Sequence, residues 1–198
     1  QISVADYEFP ECGPDCVGVV AVVYLNGEIS AAKPANDIVD AATYCVLLRE
    51  LRFDENVKAV VLRVNSGGGS AYESESIRRE VELLAKAKPV VASFGGISAS
   101  GAYWISTAAN KIYADAESIT GSIGVFSLLF SAEKLAADFG ITFDGAKTAP
   151  MSDIGTFSRR PTNAEIARIR AATDTVYSKF VSLVSSSRKI PRDAVLKL

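Results

Sequence analysis

Two rhythms of apolar residues alternate along this chain. The stretch from Val17 to Leu25 is almost unbrokenly apolar and closes at the turn pair Asn26-Gly27, the pattern of a buried strand. Its dense β-branching predicts a sheet covered on both faces, and Glu28-Ile29-Ser30 is read as its continuation before a polar stretch through Pro34. From Asp37 to about Leu51 the rhythm changes. Ile38, Ala41, Ala42, Cys45, Val46 and Leu48 recur mostly at steps of three and four, which predicts a helix. A second strand is predicted from Val57 to Val64, ending abruptly in Asn65-Ser66-Gly67-Gly68-Gly69-Ser70. Ser70 and Glu73 then have capping-box spacing ahead of a helix with Ile77, Val81, Leu83 and Leu84 on its apolar face.

The same sequence of strand, glycine turn and helix repeats at once. Pro89 to Ser93 is a strand candidate, Phe94-Gly95-Gly96-Ile97-Ser98-Ala99-Ser100-Gly101 a turn, and Ala102 to Asn110 a helix holding the only tryptophan, Trp104. Two such units imply right-handed crossovers and an α/β layer architecture, with both glycine turns on the sheet edge where such folds place their sites. Further on, Lys111 to Ala114 predicts a short strand, and Thr120-Gly121-Ser122-Ile123-Gly124-Val125 a third wall of the site. Ser131 to Phe139 predicts a helix ending at Gly140, and Ile141 to Asp144 a strand. Thr162 and Glu165 repeat the capping-box spacing before a long amphipathic helix with Ile166, Ile169, Val176, Phe180 and Leu183 apolar, and Pro191 suits the first turn of a last short helix. The first 16 residues, broken by Pro10 and Pro14, read as an extended arm, and residues 17–198 as a single domain.

Composition narrows the chemistry. There is no histidine among the 198 residues, so a Ser-His-Asp triad, a Cys-His pair and a histidine-ligated metal are excluded within this chain. A net charge of -2 with balanced signs offers no polyanion-binding field, and nucleic acid is not expected as a partner. The longest apolar run is of strand length, short of the roughly 20 residues of a membrane span. Gln1 opens a polar segment without the pattern of a signal peptide. Cys12 and Cys16 flank Gly13-Pro14-Asp15 and either form a local disulfide or stay free, whereas Cys45 falls in the helical pattern as a core thiol. No metal site and no cofactor are expected: the glycine run lacks the GxxxxGK[ST] pattern, and no acidic residue follows at dinucleotide-fold spacing.

Without histidine, lysine is the main candidate to activate a serine. Ser100, between a strand and a helix, is either a nucleophile or merely an N-cap. A main-chain N–H from Gly68 or Gly69, with that of Gly101, could point at the oxygen of a carbonyl becoming tetrahedral; the alternative is a tight turn only. Lys147 is the local base candidate, with Ser122 placed to orient the amine, but a lysine is a base only when burial beside apolar groups disfavours its charged form.

Taken together, Val61-Leu62-Arg63-Val64-Asn65-Ser66-Gly67-Gly68-Gly69-Ser70, Gly95 through Ser106, and Thr120-Gly121-Ser122-Ile123-Gly124 resemble the signal peptide peptidase A family of serine proteases, from about Val17 to the C-terminus. The resemblance implies a ClpP/crotonase-like α/β fold and a serine-lysine dyad digesting remnant signal peptides at the bacterial cytoplasmic membrane. Ser100 takes the nucleophile's position, Ser122 that of the serine bonded to the lysine, and Gly68 and Gly101 those of the oxyanion glycines. Gly67 stands where the family usually has proline. The short members' Gly-x-x-Lys segment, laid on Gly145-Ala146-Lys147-Thr148, puts Thr148 at the lysine position and Lys147 one residue early. Long members carry two homologous halves, the N-terminal one providing lysine, and Asp144 through Ile154 resembles their serine-bearing C-terminal half.

The resemblance therefore implies a half-domain whose base comes from a second half-domain. It also implies hydrophobic peptide substrates, a homo-oligomer, and a membrane-associated parent whose soluble domain faces the periplasm or cell exterior. Two other classes stay open on the residues alone: a noncatalytic peptide-binding scaffold and a crotonase-like acyl-thioester enzyme.

Overall fold

The computed structural model describes residues 17–32 and 37–197; the predicted arm and the Cys12–Cys16 pairing lie outside them. The chain divides into two compact units, one taking residues up to Gly124 and again from Phe180, the other Val125–Lys179. Within the first lie β1 (Val19–Asn26), β2 (Glu28–Ile29), β3 (Ile38–Val39), α1 (Ala41–Phe53), β4 (Val57–Ser66), α2 (Ala71–Ala87), β5 (Val90–Ala99), α3 (Gly101–Ser106), β6 (Lys111–Tyr113) and β7 (Ile119–Gly121). The second holds α4 (Glu133–Asp138) and most of α5 (Asn163–Arg188), and α6 (Arg192–Val195) belongs again to the first.

The main sheet runs β1-β4-β5-β6 with every pairing parallel, as two strand-helix units in succession require. β6 pairs with the first half of β5, and β7 with its second half, Ile97 to Ala99. The sheet's inward residues Ala21, Val23, Leu25, Val60, Leu62, Val64, Val90, Ala92 and Phe94 pack with Leu48 of α1, Ile77, Val81 and Leu84 of α2, and Ala102 and Ile105 of α3. The expectation of cover on both faces is corrected: Val20, Val22 and Tyr24 of β1 stay exposed among the described residues. A strand that is apolar at every position but its last hides the inside-outside alternation from which one-sided burial is read.

Several elements end where their polar residues find partners. The Asp40 carboxylate accepts the Thr43 N–H at 2.8 Å and caps α1. Ser70 caps α2 through the Glu73 N–H at 3.3 Å. Glu73, however, does not close its own capping box: its buried carboxylate accepts the Ala41 N–H at 2.7 Å and ties α2 to the start of α1.

The predicted turn at Gly95-Gly96 is instead strand, with β5 continuing to Ala99. Register shifts between Val64 and Ser66, and the Asn65 amide oxygen turns in to accept the Ile97 N–H at 3.2 Å. A Cβ on Gly95 would lie 2.7 Å from that oxygen, so this glycine makes room for a neighbour's side chain at a bulge. The helix predicted to Asn110 stops at Ser106, and Ile141 to Asp144 is irregular rather than strand.

In the second unit the Thr162–Glu165 capping box is complete. Thr162 Oγ1 accepts the Glu165 N–H at 3.3 Å, and the Glu165 carboxylate accepts the Thr162 N–H at 2.7 Å. Arg159 bridges this carboxylate to Asp153 at 2.6 and 2.8 Å. Arg159 and the Thr162 N–H hold the Glu165 carboxyl down at about 2, against an ordinary 4.5. A carboxylate depressed by folding contributes stability that is present above its unfolded value and lost as pH falls through its folded one. The carbon NMR signal of the Glu165 carboxylate is therefore expected to titrate near pH 2, with its stabilising contribution fully present above about pH 4.5 and lost progressively below it. A midpoint at the ordinary value would contradict the bridge.

Candidate active site

β5 delivers the chain to Ser100, and α3 carries it away. Between them Ser100 adopts φ 51° and ψ -119°, a conformation that costs a non-glycine residue about 1–3 kcal/mol. Among the described residues only Ser100, Ser122 and Lys189 lie at positive φ without being glycine. Two of these three are candidate site residues, and backbone strain concentrates where position matters more than stability. The Ser100 N–H donates to the Gly121 carbonyl at 3.0 Å, and its carbonyl accepts the Trp104 N–H at 2.9 Å. Its half-buried side chain makes no capping bond. Ser100 thus occupies the N-cap position without doing a cap's work, and the hydroxyl stands at a sharp junction of strand and helix.

The glycine run comes against this junction. Gly68 has φ +98°, and a Cβ placed on it would fall 2.6 Å from the Gly101 nitrogen and 2.8 Å from Ser100 Cβ. Only a glycine permits both the backbone angle and the approach. The Gly68 carbonyl accepts the Ile29 N–H at 3.0 Å, and Ser70 donates to the Ile29 carbonyl at 2.7 Å, which fixes the run from its outer side. The Gly68 N–H rests on Ser66 Oγ at 3.1 Å, a neutral acceptor that an oxyanion would outcompete. Ser122, exposed and at φ 49°, follows directly on Gly121, whose carbonyl holds the Ser100 N–H. Ser100, Gly68, Gly101 and Ser122 therefore all belong to the first unit, linked through these contacts.

Lys147 lies in the second unit. Its ammonium is 2.8 Å from Asp153, and its side chain is 41% exposed. Arg159, then Lys147, hold the Asp153 carboxyl well below the usual range. Nothing in the local sequence signals this pairing, because Asp153 is six residues away in irregular chain. Among the described residues no group of three or more His, Cys, Asp or Glu could hold a metal ion, and no helix is long and apolar enough to cross a membrane.

A protein-family model described as Peptidase family S49 matches residues 82–198. Protease 4 of Salmonella typhi is 38% identical over 199 aligned positions, covering 100% of this chain and 32% of that protein. The chloroplastic serine protease SPPA of Arabidopsis thaliana is 32% identical over 180 positions, 88% of this chain and 26% of that protein. This chain thus spans about a third or less of the length of these relatives. Among solved structures, a ClpP1 variant from Listeria monocytogenes superposes with a TM-score of 0.54 at 15% identity, covering 89% of this chain and 77% of that one. The parallel sheet with its helices is accordingly a ClpP-like fold, as the sequence resemblance implies.

Proposed function

This chain belongs to peptidase family S49, and we propose that it is the serine-bearing half of a protease that cuts extended hydrophobic peptides, remnant signal peptides among them, through an acyl-enzyme on Ser100. The observation that carries the reading is the strained, non-capping Ser100 at the end of β5, with Gly68 and Gly101 against it. In the proposed reaction a lysine amine takes the Ser100 proton and Oγ attacks the peptide carbonyl. The Gly68 and Gly101 N–H groups receive the oxyanion, the peptide C–N bond breaks as the lysine ammonium gives its proton to the departing peptide amine, and water, giving its proton to the same lysine, releases the acyl group from Ser100. Ser122, beside Ser100's own anchor at Gly121, is proposed to orient the lysine. Family membership and the relatives named as proteases favour a peptide over an acyl thioester as the substrate.

The lysine is proposed to come from a second half-domain. Lys147 in its observed state supports this, because an ammonium engaged by a carboxylate at 2.8 Å has to give up a proton, and that ion pair with it, before the amine can act as a base. A base lysine needs the opposite setting, apolar and without a carboxylate partner. In the full-length protein Lys147→Ala is expected to leave the rate of peptide cleavage within about twofold, the order of loss of an exposed ion pair; a loss of a hundredfold or more would return the base role to Lys147.

The reading is tested by digesting an extended apolar peptide with the full-length protein and quenching in acid. An acyl adduct on Ser100, found by peptide mass mapping, is the expected result. Cleavage that accumulates no adduct and survives Ser100→Ala would overturn it.

A further inference from the structure

A helix of six residues does not hold itself, yet α3 starts directly after Ser100, whose backbone is held at positive φ. We propose that Glu75 is a positioning residue for Ser100, acting through the indole of Trp104; this rests on Ser100 being the nucleophile. Trp104 is buried, and its Nε1–H donates to Glu75 Oε2 at 2.8 Å. The same carboxylate is gripped by Arg78, Nε to Oε2 at 2.8 Å and Nη2 to Oε1 at 3.2 Å, and Arg78 is held in turn by Glu82 at 2.9 Å. On its other side the indole lies against Phe180, with ring centroids 4.7 Å apart. The side chain is thus pinned by a charged acceptor and an aromatic ring.

Trp104 passes that restraint to Ser100 directly, since its backbone N–H donates to the Ser100 carbonyl at 2.9 Å. One residue before Glu75, Ser74 Oγ stands where a Cβ on Gly101 would come within 2.4 Å of it. Successive residues of α2 therefore fix both ends of the first turn of α3, Ser74 over Gly101 and Glu75 at Trp104. A carboxylate made rigid by its arginine is a firmer stop for the indole than a free one, because the charge-assisted bonds fix the rotamer of the acceptor as well as its strength. The arrangement sets the φ of Ser100 from outside the reacting groups.

The test is a double-mutant cycle on inactivation of the full-length protein by a fluorophosphonate, with wild type, Trp104→Phe, Glu75→Ala, the double variant and Glu75→Gln. Trp104→Phe keeps a ring against Phe180 but removes the N–H together with part of the buried indole, so Glu75→Gln, which leaves that packing in place, carries the comparison of the hydrogen bond itself. Each single substitution is expected to lower the maximal inactivation rate roughly tenfold without changing the inhibitor concentration at half-saturation, as misplacement of a reacting group does. The double variant is expected to lose no more than either single one, and Glu75→Gln, which keeps an acceptor, to recover most of the rate. Hydrogen exchange at the Trp104 amide is followed in parallel, at a temperature where β4 amides stay protected in every variant, and is expected to accelerate in Glu75→Ala. Multiplicative rate losses, or an unchanged Trp104 amide, would overturn the proposal. A wild type that is never labelled at Ser100 would instead remove the nucleophile reading, and the exchange experiment would still decide whether Glu75 holds the junction.

Discussion

Ser100→Ala is expected to abolish covalent labelling and to lower peptide cleavage by the full-length protein at least about a thousandfold, since loss of a nucleophile removes the acyl-enzyme route altogether. The fold is expected to survive. The Ser100 side chain makes no capping bond, and its backbone bonds to Gly121 and Trp104 do not involve the hydroxyl. A companion substitution separates strain from chemistry: Ser100→Gly removes the same nucleophile at φ 51°, an angle glycine adopts freely. It is expected to raise stability by about 1 kcal/mol relative to Ser100→Ala. Both are read by intact-mass labelling and thermal melting. A Ser100→Ala protein that still forms an adduct would place the nucleophile elsewhere, and a Ser100→Gly protein no more stable than Ser100→Ala would mean that the junction stores no strain.

Gly68→Ala is expected to cost a further large factor, about a hundredfold to a thousandfold in cleavage rate, the order seen when one oxyanion donor is lost. The substitution acts twice. It strains a backbone at φ +98°, and it drives a Cβ to within 2.6 Å of the Gly101 nitrogen, displacing both proposed donors together. Gly67→Ala is the control, because its Cβ would meet nothing nearer than Ile97 Cδ1 at 3.7 Å, an ordinary contact. Cleavage rates measured on the two variants side by side decide the matter: equal losses would mean that the run matters only as a flexible turn.

How much of this could be read from residues alone differs from one element to the next. The β4 strand, its glycine run and the helix capped by Ser70 were legible because each is a local pattern of periodicity and capping chemistry. The Thr162–Glu165 box was legible for the same reason, while the Arg159 that completes its charge pairing was not. Glu73 was read as a partner of its own helix and instead serves α1, a contact 32 residues distant. The Gly95 bulge depends on the side chain of Asn65, one strand away, so a local reading could find only a turn. Ser100 announced itself by its place between strand and helix, but its positive φ, like that of Ser122, is a tertiary property. The bond from Gly121 that seats Ser100 joins two glycine-punctuated segments which the sequence could only name as walls of one site.

Lys147 shows the limit most plainly. The sequence marks it as the local base candidate, whereas Asp153 and Arg159 make it part of a charged, half-exposed cluster. Ser100 is proposed as a nucleophile whose base lies outside this chain. Intact-mass detection of fluorophosphonate labelling tests it most directly, with the isolated chain, its Lys147→Ala variant and the full-length protein treated alike. Rapid labelling of Ser100 in the full-length protein, with only the same slow background in both forms of the isolated chain, is the expected result. Rapid labelling of the isolated chain that disappears with Lys147→Ala would contradict it, because a complete dyad would then lie within these residues.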